Sequence, residues 1–426
     1  MVYKKEAQKV TSKIKINNIN KRLDGIYWLL YNEATITNMS SLLKKNKKEI
    51  LKHILLPFCY SRLLLLIIAW FSQYFSAANQ SQQFAFSNLR FLDVWGRWDS
   101  GWYLKIAQQG YLLSNQGNNW NGFAFFPLYP SLIKLFSLLV PQQFLTPEIW
   151  LFIAVCLANL FFIFGLIVFY FLVKNIFLDQ QKYHDQAKKI AQKSLIFLLF
   201  FPTSFFFSCA YTESLFFLLT VVSFSLIKNK KYFFASLIIS CASLSRPYGI
   251  TLLLPLAISY LQSKKWQLSK INWQCSYLLL PVLTLAIYCW YCYLQSGDFL
   301  AFLHAQDTFG KQLSWPWQSI FQSKNFIGYI SPLDKVMAIV GSLLLLYAFK
   351  LLPIHLTIWA NVVNFIPLMS GTIGSNTRYL SLLLPIFVVL AIISQKKPQL
   401  EIALLALSLV LQVLLFSAWC QFYWVA

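Results

Sequence analysis

Four ionisable side chains interrupt otherwise apolar text in this 426-residue chain: Asp99 in WDSGW, Glu213 in AYTES, Arg246 in SRPYG and Arg378 in NTRY. A carboxylate in such a place can take a proton from a hydroxyl or hold a cation. An arginine presents a planar fork that matches the oxygens of a phosphate or a carboxylate. Each has a plainer reading beside the chemical one. Asp99 stands just before Ser100–Gln109, whose apolar spacing predicts an amphipathic helix lying along an interface with Trp102, Tyr103 and Ile106 downward. Aspartate caps helices well, so capping and catalysis both remain open for Asp99. Asp93, upstream in the same string, is a weaker candidate. Glu213 opens an apolar run, where the helix dipole favours an acid, and a structural role is its default.

The elements that carry these residues follow from composition. Apolar residues make up 58% of the chain and charged residues 12%, against about 45–50% and about 25% in soluble proteins. A soluble globule cannot hide that much apolar surface, so the fold class is an all-α integral membrane protein. The net charge of +22 does not point to nucleic acid, because the basic residues punctuate apolar runs and do not gather on one face. A spanning helix needs about 20 apolar residues. Such runs are Ile54–Phe75, Trp150–Leu172, Ser194–Ser208, Ser214–Ile227, Tyr232–Leu244, Ile250–Leu261, Cys275–Leu294, Val336–Phe349, Ile354–Met369, Tyr379–Ile393 and Ile402–Ala418. They predict about 11 transmembrane helices.

The loops then orient the chain. Residues 1–52 carry 12 Lys and Arg against 4 acids and read as a basic cytoplasmic arm, disordered or lying on anionic lipid. With that end inside, 26 of the 36 basic residues fall on inner segments, as the positive-inside rule requires. The stretch 123–140 would spoil the alternation if it spanned, and Pro127 and Pro130 break its helix ladder. It reads as re-entrant. The membrane domain is therefore 53–426, with outer loops at 76–147 and 295–335. Half of the 14 acids lie outside: Asp93, Asp99, Glu148, Glu213, Asp298, Asp307 and Asp334. Arg246 and Arg378 join them there against the charge rule, and an arginine so placed is usually paired or used on an anion. The pattern predicts an outer-face site that meets a negatively charged lipid headgroup. The eight cysteines ask for little. Most sit in apolar runs as small hydrophobes, and Cys289 and Cys292 lack the second pair that a metal would want.

Five strings in one order then carry a resemblance: WDSGWYLKIAQQGY, AFFPLYP, FPTSFFFSCAYTESLF, SRPYG and TRYLSLLLPIF. Together they resemble the GPI mannosyltransferase II (phosphatidylinositol-glycan class V) family and its bacterial relatives, across roughly residues 85–395. The stretch AFLHAQDTFGKQLSWPW looks like the large outer loop of the bacterial members. The resemblance implies a C-type glycosyltransferase fold and a polyprenyl-phosphate sugar as donor. It implies a glycan or lipid acceptor, membrane lipids around the protein, no nucleic acid, and no identified protein partner. The composition, rich in lysine, asparagine and phenylalanine, reads as that of a bacterial plasma-membrane protein.

On that resemblance, Asp99 is the base that deprotonates the acceptor hydroxyl, and displacement inverts the anomeric centre. No metal or other cofactor is expected, since the donor is already activated. Arg246 and Arg378 are expected to meet the developing phosphate charge, as preorganised cations do, with Arg97 and Lys105 in reserve. Tyr211 and Glu213 orient the sugar or hold an arginine. Trp98, Trp102 and Tyr129 stack on sugar faces or on the first isoprene units, and Asp93 completes the substrate-binding set. A transporter or flippase of lipid-linked glycans is the rival reading. It would need ionisable residues deep within spans, whereas here they gather at one membrane level. A non-enzymatic assembly partner would not need acids and arginines to converge at all.

Overall fold

The computed structural model describes residues 46–75, 86–111, 121–322, 331–395 and 397–425. The expected basic arm, 1–52, lies almost wholly outside them, as do parts of both expected outer loops. The chain divides into two compact units, Met1–His53 and Ile54–Ala426. Of the first, the described part is a short helical stretch beginning at Lys47. The second unit holds everything that follows.

All regular structure among the described residues is helical. Among the described residues, four helices are long and apolar enough to cross a membrane: Lys47–Tyr74, Pro147–Leu178, Trp273–Ser296 and Pro398–Cys420. Tyr232–Ser243, Ile354–Leu368 and Leu384–Gln395 are shorter apolar helices. Rows of large apolar side chains point outward, among them Leu63, Leu66, Ile67 and Trp70 near the start and Val282, Leu283, Ile287 and Trp290 later. Exposed apolar surface on this scale needs lipid to cover it. These features are those of a multi-pass helical membrane protein.

Local chemistry sets the helix ends. Helix α1 is Leu56–Phe75, and α2 is Ser100–Gln109, stopped by Gly110 at a φ of 77°. Helix α3, Leu128–Ser137, has only ten residues, or about 15 Å of rise, about half of a bilayer core. Helix α4, Pro147–Leu178, opens on a proline, whose missing N–H costs nothing at a first turn. The apolar run Ser194–Ser208 does not form one span. Its helix, α5, is Ala187–Leu199, and the chain then turns through Phe200 to Thr212, where Pro202 cannot continue a helix ladder. Helices α6 (Glu213–Lys228) and α7 (Tyr232–Ser243) follow. Glu213 begins α6 and Lys228 ends it, matching the dipole at both ends.

Helix α6 packs between α4 and α7. Every residue from Phe201 to Phe217 is buried. There Phe207 stacks on Phe162 with ring centres 4.4 Å apart. Much of the string 124–130 is buried too. Phe125, Phe126 and Tyr129 are buried, and Phe125 stacks under Trp102 at 5.6 Å. Next to Arg246, Gly249 lets the chain press against the end of α7, since a Cβ there would sit 2.1 Å from the Ala242 carbonyl oxygen. Late in the chain, α8 (Ser331–Ala348), α9 (Ile354–Leu368) and the five-residue α10 (Asn376–Leu380) lead to α11 (Leu384–Gln395), which packs on α5. The last helix, α12 (Pro398–Cys420), returns to lie along α1.

Candidate active site

The strings assigned to the outer face converge. A cavity of about 390 Å³ is lined by Asp99, Arg246, Arg378 and Lys311, by Tyr103, Tyr248 and Tyr379, and by the aromatic edges of Phe125, Phe309 and Trp424. These residues come from widely separated stretches between positions 99 and 424.

Glu213 lies behind this wall, with no exposed surface. Its Oε1 accepts from Arg246 Nη2 and from Arg378 Nε. Arg378 Nη1 then donates to Asp99 Oδ2 at 3.1 Å. One buried carboxylate thus holds two guanidiniums, and the second of these reaches the acid that faces the cavity. Arg246 Nε donates to Thr212 Oγ1 at 2.7 Å. The Arg378 guanidinium lies over the rings of Tyr211 and Phe206, at 4.5 and 4.8 Å. A guanidinium over aromatic faces keeps favourable electrostatics after losing its water.

Asp99 does not cap its helix. It occupies the capping position before α2, but its carboxylate makes no bond to the free N–H groups of the first turn. What fixes it is Tyr211, whose hydroxyl donates to the Arg97 carbonyl at 3.0 Å and accepts from the Asp99 N–H at 3.1 Å. Between these two bonds Trp98 takes a φ of 51°. A non-glycine residue in that region costs on the order of 1–3 kcal/mol and persists only where its surroundings hold it. Here the strained turn presents the Asp99 side chain, which keeps 21% of its surface, to the cavity.

The other sequence candidates fall elsewhere. Asp93 and Arg97 form a buried ion pair, and Asp93 also accepts the Phe86 N–H at 2.7 Å. The Arg97 guanidinium lies 3.7 Å from the Phe422 ring centre. Both brace the Asp99 turn from outside the cavity. Tyr129 is fully buried with its hydroxyl on the Ala154 carbonyl, so no sugar can stack on it. Trp102 packs on Phe125, and Lys105 is exposed above Trp102; neither lines the cavity. Trp98 is absent from the lining too, but its ring meets that of Trp424 edge-on at 5.0 Å. Tyr211 and Glu213 act from the second layer.

Residues to which the sequence reading gave no role complete the wall. Lys311, Tyr248 and Tyr379 come from loops and helix ends, and Trp424 from the tail after α12. Asp334 sets the Arg378 turn. Its Oδ1 accepts from the Thr377 N–H at 2.8 Å and from the Thr377 hydroxyl at 2.6 Å. Burial pushes the Asp334 carboxyl up to about 6. Asp334→Ala should lower the melting temperature, at about 1–3 kcal/mol for unsatisfied buried donors. Asp334→Asn keeps an oxygen in that place and should be nearly silent. Equal melting curves for the two variants would remove Asp334 from this role.

Among the described residues, no three His, Cys, Asp or Glu side chains stand close enough to hold a metal ion. Residues 47–327 match the mannosyltransferase (PIG-V) family, well over half of the chain. The chain belongs to that family. Asp99, Glu213, Arg246 and Lys311 lie inside the matched segment, and Arg378 lies beyond it. A curated relative, GPI mannosyltransferase 2 of Schizosaccharomyces pombe, is 29% identical over 158 residues. That alignment covers 37% of this chain and 30% of the yeast protein. The chain thus spans less than a third of the relative that it matches. The PIG-V family membership and the long apolar helices together describe a multi-pass membrane protein of that family.

Proposed function

We propose that the protein transfers a mannose-type hexose from a polyprenyl-phosphate donor to a hydroxyl of a glycan or lipid acceptor, at the outer face of a bacterial plasma membrane. The observation that carries the reading is Asp99, open to the cavity and adjoining a wall of cations. In the step, the acceptor O–H gives its proton to the Asp99 carboxylate and its oxygen forms the new bond to the anomeric carbon. The bond from that carbon to the phosphate oxygen breaks, and its electron pair stays on the phosphate. Inversion follows from attack on the opposite side. Arg378 and Arg246 face the charge that grows on the phosphate, and being held by Glu213 they need no reorganisation as it develops. Phe125, Phe126 and Phe309, in the cavity wall, offer apolar surface to the first isoprene units.

The test uses the purified full chain in lipid nanodiscs with a membrane-lipid extract as acceptor. Label should move from polyprenyl-phosphate [¹⁴C]mannose to the extract, and GDP-mannose should be inert. Transfer from GDP-mannose alone would overturn the donor class.

A further inference from the structure

The charges of the cavity do not balance, and the imbalance sits on one residue. Asp99 and Glu213 are matched by Arg246 and Arg378. Lys311 lines the same cavity, and among the described residues it has no ion-pair partner. Its ammonium donates to Gln306 Oε1 at 3.0 Å and to the Tyr379 hydroxyl at 3.4 Å, and lies 5.8 Å from the Tyr379 ring centre. Neither of those neighbours is a carboxylate.

Lys311 is also held in place. Gly310 turns the chain with a φ of 68°, and the next residues are sewn to the loop after α9. Gln312 N–H donates to the Ser370 carbonyl and Ser314 N–H to the Met369 carbonyl, each at 3.0 Å. Gly371 accepts this approach because it has no Cβ, which would lie 2.8 Å from the Gln312 oxygen. A lysine on a free loop would sample water. This one is fixed over the cavity beside Tyr379, the neighbour in sequence of Arg378.

We propose that Lys311 binds the phosphate of the donor and stabilises it as the leaving group. The inference rests on the donor reading above. A polyprenyl-phosphate sugar is a phosphodiester with one negative charge, and the cavity holds one cation in excess. When the bond to the sugar breaks, the electron pair left on oxygen makes the phosphate a monoester with more charge. Lys311 can answer that charge without giving up a carboxylate, whereas Arg246 and Arg378 are already engaged. A charge-assisted hydrogen bond is worth about 1.5–3 kcal/mol, or roughly a 10- to 100-fold effect in affinity.

The experiment compares wild type, Lys311→Ala and Lys311→Arg in nanodiscs. Binding of farnesyl phosphate, a sugar-free short-chain probe, is read by tryptophan fluorescence against uncharged farnesol. Lys311→Ala should weaken farnesyl phosphate by about 10- to 100-fold and leave farnesol unchanged, while Lys311→Arg restores most of the loss. In turnover, Lys311→Ala should raise the KM for the donor and lower kcat, with the KM for the acceptor unmoved. Equal loss for phosphate and alcohol would mean a structural role and overturn the proposal. So would unchanged farnesyl phosphate binding, or a rise in the acceptor KM alone. If wild type itself fails to distinguish farnesyl phosphate from farnesol, the donor reading falls first, an outcome separable from failure of Lys311 alone.

Discussion

Asp99→Asn should reduce turnover by roughly 10²–10⁴-fold, the usual contribution of a positioned base, in a protein that remains folded. The two effects separate because of how Asp99 is held. The turn is fixed by backbone bonds to Tyr211, which the substitution does not touch. Asparagine still offers an oxygen to Arg378 Nη1. The ion pair that it loses is one of two on Arg378, which keeps its bond to Glu213. The melting temperature should therefore move little while label transfer collapses. A folded Asp99→Asn enzyme with near-normal transfer would remove Asp99 as the base. Asp93 could not inherit the role, because Arg97 and two backbone N–H groups already engage its carboxylate.

The second large effect is on folding. Glu213→Ala would leave two buried guanidiniums facing one another with no anion between them. Breaking a buried pair in this way costs about 3–5 kcal/mol, a large part of the total stability of most domains. Glu213→Gln keeps the shape and one acceptor but not the charge, and should be nearly as damaging. Adding Arg246→Gln to Glu213→Gln removes one of the stranded charges, so the double variant should melt above Glu213→Gln alone. Coupling of about 0.5–3 kcal/mol is expected for contacting groups. Thermal unfolding of wild type, Glu213→Gln, Arg246→Gln and the double variant in one detergent measures it. Wild-type melting of Glu213→Gln would show that the cluster does not hold the fold.

Much of the site was legible because its members break a rule. Asp99, Glu213, Arg246 and Arg378 stand where composition and the placement of lysines leave no room for charge, and the fold brings all four together. Other members of the site were given no role. Lys311 stood out as an outer-loop lysine, but only its neighbours in space reveal that it has no acid among the described residues. Trp424 follows an apolar run, where a tryptophan reads as an interfacial anchor. Tyr129 erred the other way: its Pro-flanked aromatic string looked exposed, but α2 and α4 enclose it. The helix limits around 194–208 were misread for a related reason. Phenylalanine suits a span and a buried irregular turn equally well, and periodicity does not tell them apart.

Glu213 also imposes a timetable. Arg246 follows it by 33 positions and Arg378 by 165. At about 5–20 residues per second, the ribosome delivers the first arginine roughly 2–7 seconds after the glutamate, and the second roughly 8–33 seconds after it. Throughout that interval the insertion machinery must shelter a carboxylate that the bilayer would reject. Charge neutrality arrives in two instalments, and Trp424 joins later still. A nascent chain halted between Arg246 and Arg378 carries a half-built cluster.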